Sequence, residues 1–157
     1  MKTIRVPGDR KRIERILADI KTSDLKVGWF ESAKYTNKQS TPVAMVAYWQ
    51  EFKNTRNGAF IRKTIIENSE TWRKIVGNKL SESFAGSVNA NDVMNVLGLV
   101  VQGDIKNKLS EMGNYPENDP VVQRRRNRKN PPPNQSTAIL RDTTTLLSTL
   151  TYVAGKR

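Results

Sequence analysis

The 157 residues carry 27 lysines and arginines against 15 acids, a formal net charge of +12, with 36% hydrophobic residues and neither cysteine nor histidine. Those absences exclude disulfide scaffolds, thiol nucleophiles, zinc–thiolate centres and every imidazole-based acid–base or triad mechanism. No apolar run approaches the ~18 residues of a membrane span. The opening MKTIRVPGDRKRIERIL is too charged for the apolar region of a signal peptide. The expectation is a soluble chain made in the cytoplasm, with core enough for a single domain over residues 1–157.

In chain order, Ile13, Ile16, Leu17 and Ile20 recur at helical spacing behind Asp9, a natural cap, and predict a short amphipathic helix over 9–20. Leu25, Val27 and Trp29 then alternate with Lys26, Gly28 and Phe30, which is strand periodicity. Bulk on both faces at Trp29 and Phe30 predicts a central place in a small sheet. After a polar turn, Thr41-Pro42 reads as an N-cap followed by proline at the first helical position. The helix it opens has a wide apolar face containing Val43, Val46, Ala47, Trp49 and Phe52. Asn57-Gly58 marks a loop or hairpin tip.

Two long helices follow. Ile61, Ile65, Trp72, Ile75, Val76, Leu80 and Phe84 form one stripe from Phe60 to about Phe84, ended by Gly86. Val93, Val96, Leu97, Val100, Val101, Ile105 and Leu109 form a second, capped by Asn89 or Asn91 and ended by Gly113. Gly98 and Gly103 interrupt this second helix, where each costs up to about 1 kcal/mol against alanine, so close packing or bending is the expected reason for them. Residues 115–135 change character: five basic residues and five of the seven prolines, with Val121 and Val122 nearly the only apolar ones, predict an exposed flexible arm or loop. Asp142 caps a short turn through Leu147, and Thr149–Val153 alternates as a closing strand. The fold class is α+β: the early and C-terminal strands pair in a small antiparallel sheet packed against several helices, with a long exposed basic and proline-rich loop.

Four cues in this order, Val27-Gly28-Trp29-Phe30, Gln50-Glu51-Phe52, Phe60-Ile61-Arg62 and Leu140-Arg141-Asp142-Thr143-Thr144-Thr145-Leu146, resemble the neck or tail-completion proteins of long-tailed bacteriophages, the virion morphogenesis family. The resemblance implies a structural virion protein at the head–tail junction, assembled in the host cytoplasm. It implies copies of the chain in a ring, expected sixfold, that completes the tail and joins it to the DNA-filled head. Its neighbours would be connector or stopper proteins and tail-terminator or tail-tube proteins, with genome DNA passing through the channel and no membrane involved. Phe60 and Arg62 match the family's helix entry and are interface candidates.

The residues themselves offer further candidates. Trp29, Phe30, Trp49 and Trp72 read as core anchors, and any of them left exposed marks a subunit interface, with Trp49 the candidate. Arg124, Arg125, Arg126, Arg128 and Lys129 form a clustered cationic run on the arm. Such a run suits docking on an acidic neighbour, contact with DNA phosphates, or plain solvation. The alternative function is non-specific nucleic-acid binding, supported by charge but without an aromatic RNA-binding motif or a helix-turn-helix signature. A carboxylate–metal nuclease ranks last, since Asp104 and Glu111 share a helix face without a third partner. No catalytic residue, cofactor or metal site is expected, and the chain does not read as an enzyme.

Overall fold

The computed structural model of the chain describes residues 9–35, 40–53, 59–86, 89–112, 117–127 and 145–156. The elements run α1 (Asp9–Thr22), β1 (Ser23–Gly28), α2 (Val43–Phe52), α3 (Phe60–Ala85), α4 (Ala90–Met112), α5 (Pro120–Asn127), α6 (Thr145–Ser148) and β2 (Thr151–Lys156). The architecture is mainly helical, with β1 and β2 paired antiparallel against helices, as the α+β reading requires. The chain divides into two compact units, one drawing on residues up to 27, 68–102 and 152 onward, the other on 28–67 and 103–151.

In the first unit, α1 leads directly into β1, and β2 returns beside it from the far end of the chain. The Lys156 ammonium meets Asp19 of α1 at 3.1 Å. β2 also packs on α4, where the Tyr152 ring lies so close over Gly98 that an added Cβ would fall 2.7 Å from its Cγ. Gly98 therefore has the close-packing reason expected of it; Gly103 does not, because the space at its Cα is open. The α4 entry is a reciprocal capping box, Asn89 Oδ1 accepting from the Asp92 N–H at 2.9 Å and Asp92 Oδ2 accepting from the Asn89 N–H at 3.3 Å. α3 ends at Gly86, whose φ of 93° is the left-handed stop that glycine provides. An open apolar groove of about 440 Å³ lies between α3 and α4, lined by Trp72, Val76, Gly77, Leu80, Leu97 and Val101.

In the second unit the core gathers Val43 and Ala47 of α2, Phe60 and Thr64 of α3, Ile105 and Leu109 of α4, Val122 of α5, Leu146 of α6, and Leu150. Thr64 is satisfied within its own helix, its hydroxyl donating to the Phe60 carbonyl at 2.7 Å. Lys108 of α4 bridges Glu67 of α3 and, at 3.2 Å, Glu111 of its own helix.

Several sequence expectations shift. β1 stops at Gly28 and pairs with one strand, so Trp29 and Phe30 lie beyond the strand rather than at the centre of a sheet. β2 starts at Thr151 instead of Thr149, because Thr149 is still held by a bond from its N–H to the Thr145 carbonyl. Pro42 rather than Thr41 is the N-cap of α2, with extended backbone and no side-chain cap. The buried row at the start of α3 runs through Phe60 and Thr64, leaving Ile65 and Ile66 exposed, the latter at 77%. Within 115–135, residues 120–127 form α5, contrary to the flexible arm: Val122 is fully buried and Asp119 nearly so, which anchors this stretch. Residues 128–144, including Asp142 and Thr144, lie outside the described residues, as does Gly113.

Candidate functional site

α2 has the sequence VAMVAYWQEF, with one ionisable acid in ten residues, and is apolar almost all round. A helix of that composition normally buries its whole surface. Here only Val43, Ala47 and Glu51 are buried, one row at successive i+4 spacing. Met45, Tyr48, Trp49 and Phe52 remain open to solvent, Tyr48, Trp49 and Phe52 at 53%, 48% and 56% of their surfaces. Tyr48 and Phe52, one turn apart, stack with ring centroids 4.9 Å apart.

The acid in this helix is its best-connected residue. Glu51 is 3% exposed, yet its carboxylate reaches the N-terminus of α3, accepting from the Ile61 N–H at 2.8 Å and the Arg62 N–H at 3.3 Å. Arg62 Nε donates to the same carboxylate at 2.9 Å, and its Nη2 to the Glu51 carbonyl at 3.0 Å. The Glu51 carbonyl also accepts from the Ala59 N–H at 3.0 Å. A carboxylate at a helix N-terminus satisfies orphan backbone donors and lies at the positive end of the macrodipole. Glu51 thus caps α3 from another helix, and Arg62 neutralises it. The same guanidinium sits 5.0 Å from the Phe52 ring centre, within cation–π range.

Trp29 adds the third side. Its indole N–H donates to the Leu146 carbonyl at 2.8 Å, and its ring meets Phe60 edge-on at 6.0 Å. A groove of about 210 Å³ opens between Trp29, Ala44, Tyr48, Phe52 and Ile61, with the hydrogen-bonded Glu51 as its charged group. The segments around Trp29, Glu51, Arg62 and Leu146, which stand far apart in the sequence, meet in this one place.

The interface candidates fare differently. Trp49 is exposed, and Arg62 has 56% of its side chain open to solvent while it holds Glu51. Phe60 is corrected: it has no exposed surface and is a core residue under Trp29, so it cannot serve as a contact. On α5, Arg124 is exposed, whereas Arg126 is largely covered and faces Glu117 at 3.6 Å. The Arg125 side chain, Arg128 and Lys129 lie outside the described residues. Sequence reasoning missed Tyr48, Phe52 and the capping by Glu51. The available signal was a carboxylate at the end of an otherwise apolar helix, nine residues before the next helical start.

Among the described residues no group of three or more acidic, histidine or cysteine side chains comes together as a metal site, and no helix is long and apolar enough to cross a membrane. Comparison with protein-family models, with curated proteins and with solved structures gives no match.

Proposed function

We propose that this chain is a structural subunit of the head–tail junction of a long-tailed bacteriophage, one copy in a sixfold ring that completes the tail and joins it to the DNA-filled head. The observation that supports this reading is the meeting of the resemblance cues: Trp29 binds the Leu146 carbonyl, and Glu51 binds Arg62. Motifs linked by direct bonds form one structural unit, which fits a family pattern that specifies a wedge rather than a catalytic centre. A closed ring needs two different surfaces per subunit, since only heterologous contacts related by rotation can build one. The exposed aromatic face of α2 and the exposed Arg124 of α5 are separate candidates for such contacts. The neighbours in this reading are connector or stopper proteins and tail-terminator or tail-tube proteins, with genome DNA in the channel.

Quantitative mass spectrometry and electron microscopy of purified particles of the encoding phage test the reading. The chain should be present at ring stoichiometry, and its loss should leave filled heads and tails unjoined. Absence from particles, together with tight duplex binding by the isolated monomer, would replace this reading with non-specific nucleic-acid binding.

A further inference from the structure

We infer that the exposed face of α2 is a docking site for an acidic protein segment that inserts one aromatic or branched side chain beside Tyr48 and Phe52 and presents a carboxylate to Arg62. The inference deepens the assembly reading by giving the chemistry of the neighbour on α2, and rests on it for that neighbour being a structural protein. A measurement in solution is independent of virion composition, so the two can fail separately.

Three observations carry it. First, Tyr48 and Phe52 are each more than half exposed on a helix that carries no exposed ionic group, a surface that costs free energy when left in water. Second, the groove between Trp29, Ala44, Tyr48, Phe52 and Ile61 has a volume of about 210 Å³. An engineered apolar cavity of about 150 Å³ accepts benzene, so a single aromatic or branched side chain fits here. The Glu51 carboxylate in its wall already accepts three N–H donors, so the groove selects an apolar insert. Third, the charges on the segments flanking α2 are mainly positive. Lys34, bridged to Pro42 at the start of α2, Lys53 at its C-cap, and Arg62 and Lys63 on α3 are all exposed, with Glu31 the exposed acid of the preceding turn.

Arg62 adds a specific anchor. Its Nε and Nη2 donate to Glu51, and a guanidinium has five N–H donors, so it can bind an incoming carboxylate without releasing the first. Charge also argues against a second copy as the occupant. Two chains of net charge +12 would bring like-charged flanks together, which electrostatic complementarity disfavours.

The test uses the whole chain and three synthetic helical peptides. One has leucine and phenylalanine on one face and glutamate on the other; the second replaces every glutamate with lysine, and the third every leucine and phenylalanine with serine. The glutamate peptide should bind and shift the NMR signals of Tyr48, Phe52, Ile61 and the Arg62 side chain, while the lysine and serine peptides should not. Binding should weaken as salt shortens the screening length toward about 8 Å. Replacing both Tyr48→Ser and Phe52→Ser should lower affinity by about tenfold or more, with circular dichroism confirming the fold. If that variant does not fold, the glutamate and lysine peptides compared on the unaltered chain still decide the matter. Equal binding of the lysine peptide, no binding by the glutamate peptide, or sedimentation showing that two copies pair through this face would each overturn the inference.

Discussion

Glu51 and Arg62 meet at 2.9 Å across the junction of two helices, a buried carboxylate held by a half-exposed guanidinium and by the first backbone N–H groups of α3. Removing the buried partner should therefore cost more than removing the exposed one. Glu51→Ala leaves the α3 N-terminus uncapped and should lower unfolding free energy by about 2–3 kcal/mol. Glu51→Gln, which keeps an acceptor, should lose less, and Arg62→Ala about 1 kcal/mol. Urea unfolding of the single and double variants gives the coupling directly; additive effects would mean the two residues act independently.

Glycines within α4 should respond in opposite directions. Gly98→Ala gains helix propensity but drives a methyl into the Tyr152 ring, and overpacking of this kind costs about 1–3 kcal/mol. Gly103→Ala meets open space and should stabilise by up to about 1 kcal/mol. Thermal unfolding should place the two variants on either side of the parent.

Ala59, immediately before α3, has φ 65°, a left-handed conformation that alanine tolerates poorly. Ala59→Gly relieves this strain while loosening the unfolded chain. The expected outcome is neutral to about 1 kcal/mol stabilising. Ala59→Val should destabilise, and a denaturant series comparing the two checks the sign.

Hydrogen bonding to Glu67 first and Glu111 second raises the Lys108 pKa above the ordinary lysine value of 10.5, outweighing the opposing effect of burial. Since the folded state holds this proton more tightly, the contribution is fully present below the unfolded lysine pKa of about 10.4 and is lost as pH rises through the folded value. Stability measured across the alkaline range should fall more steeply for the parent than for Lys108→Met.

On α5, Val122→Ala should cost about 1–3 kcal/mol because Val122 is fully buried, whereas Arg124→Ala should stay within about 0.5 kcal/mol. Unfolding followed by circular dichroism separates these outcomes. Equal effects would mean that α5 is not anchored through Val122.

Periodicity made the long helices legible, and Asn89 was readable as a cap because side-chain capping is a local interaction. The early and late strands were likewise visible in their alternation. Other features depended on tertiary contacts that a pattern cannot carry. The apolar stripe of α3 includes Ile65, but the packed row passes through Phe60 and Thr64, since a threonine that bonds its own helix can lie in a core. Composition argued against the helix at 120–127, which is held because Val122 has a core to enter. At the candidate site, Trp49 and Arg62 were recognisable as residue types, whereas the capping by Glu51 became visible only when α2 and α3 were brought together.

Both compact units draw residues from early and late in the chain, Trp29 reaching Leu146 in one and Asp19 reaching Lys156 in the other. During synthesis, then, the unit holding Trp29 cannot close until the ribosome has delivered Leu146, and the unit holding Asp19 not until it has delivered β2, because the early segments wait for partners more than a hundred positions away. A translation product halted before Leu146 would lack the contacts that complete either unit.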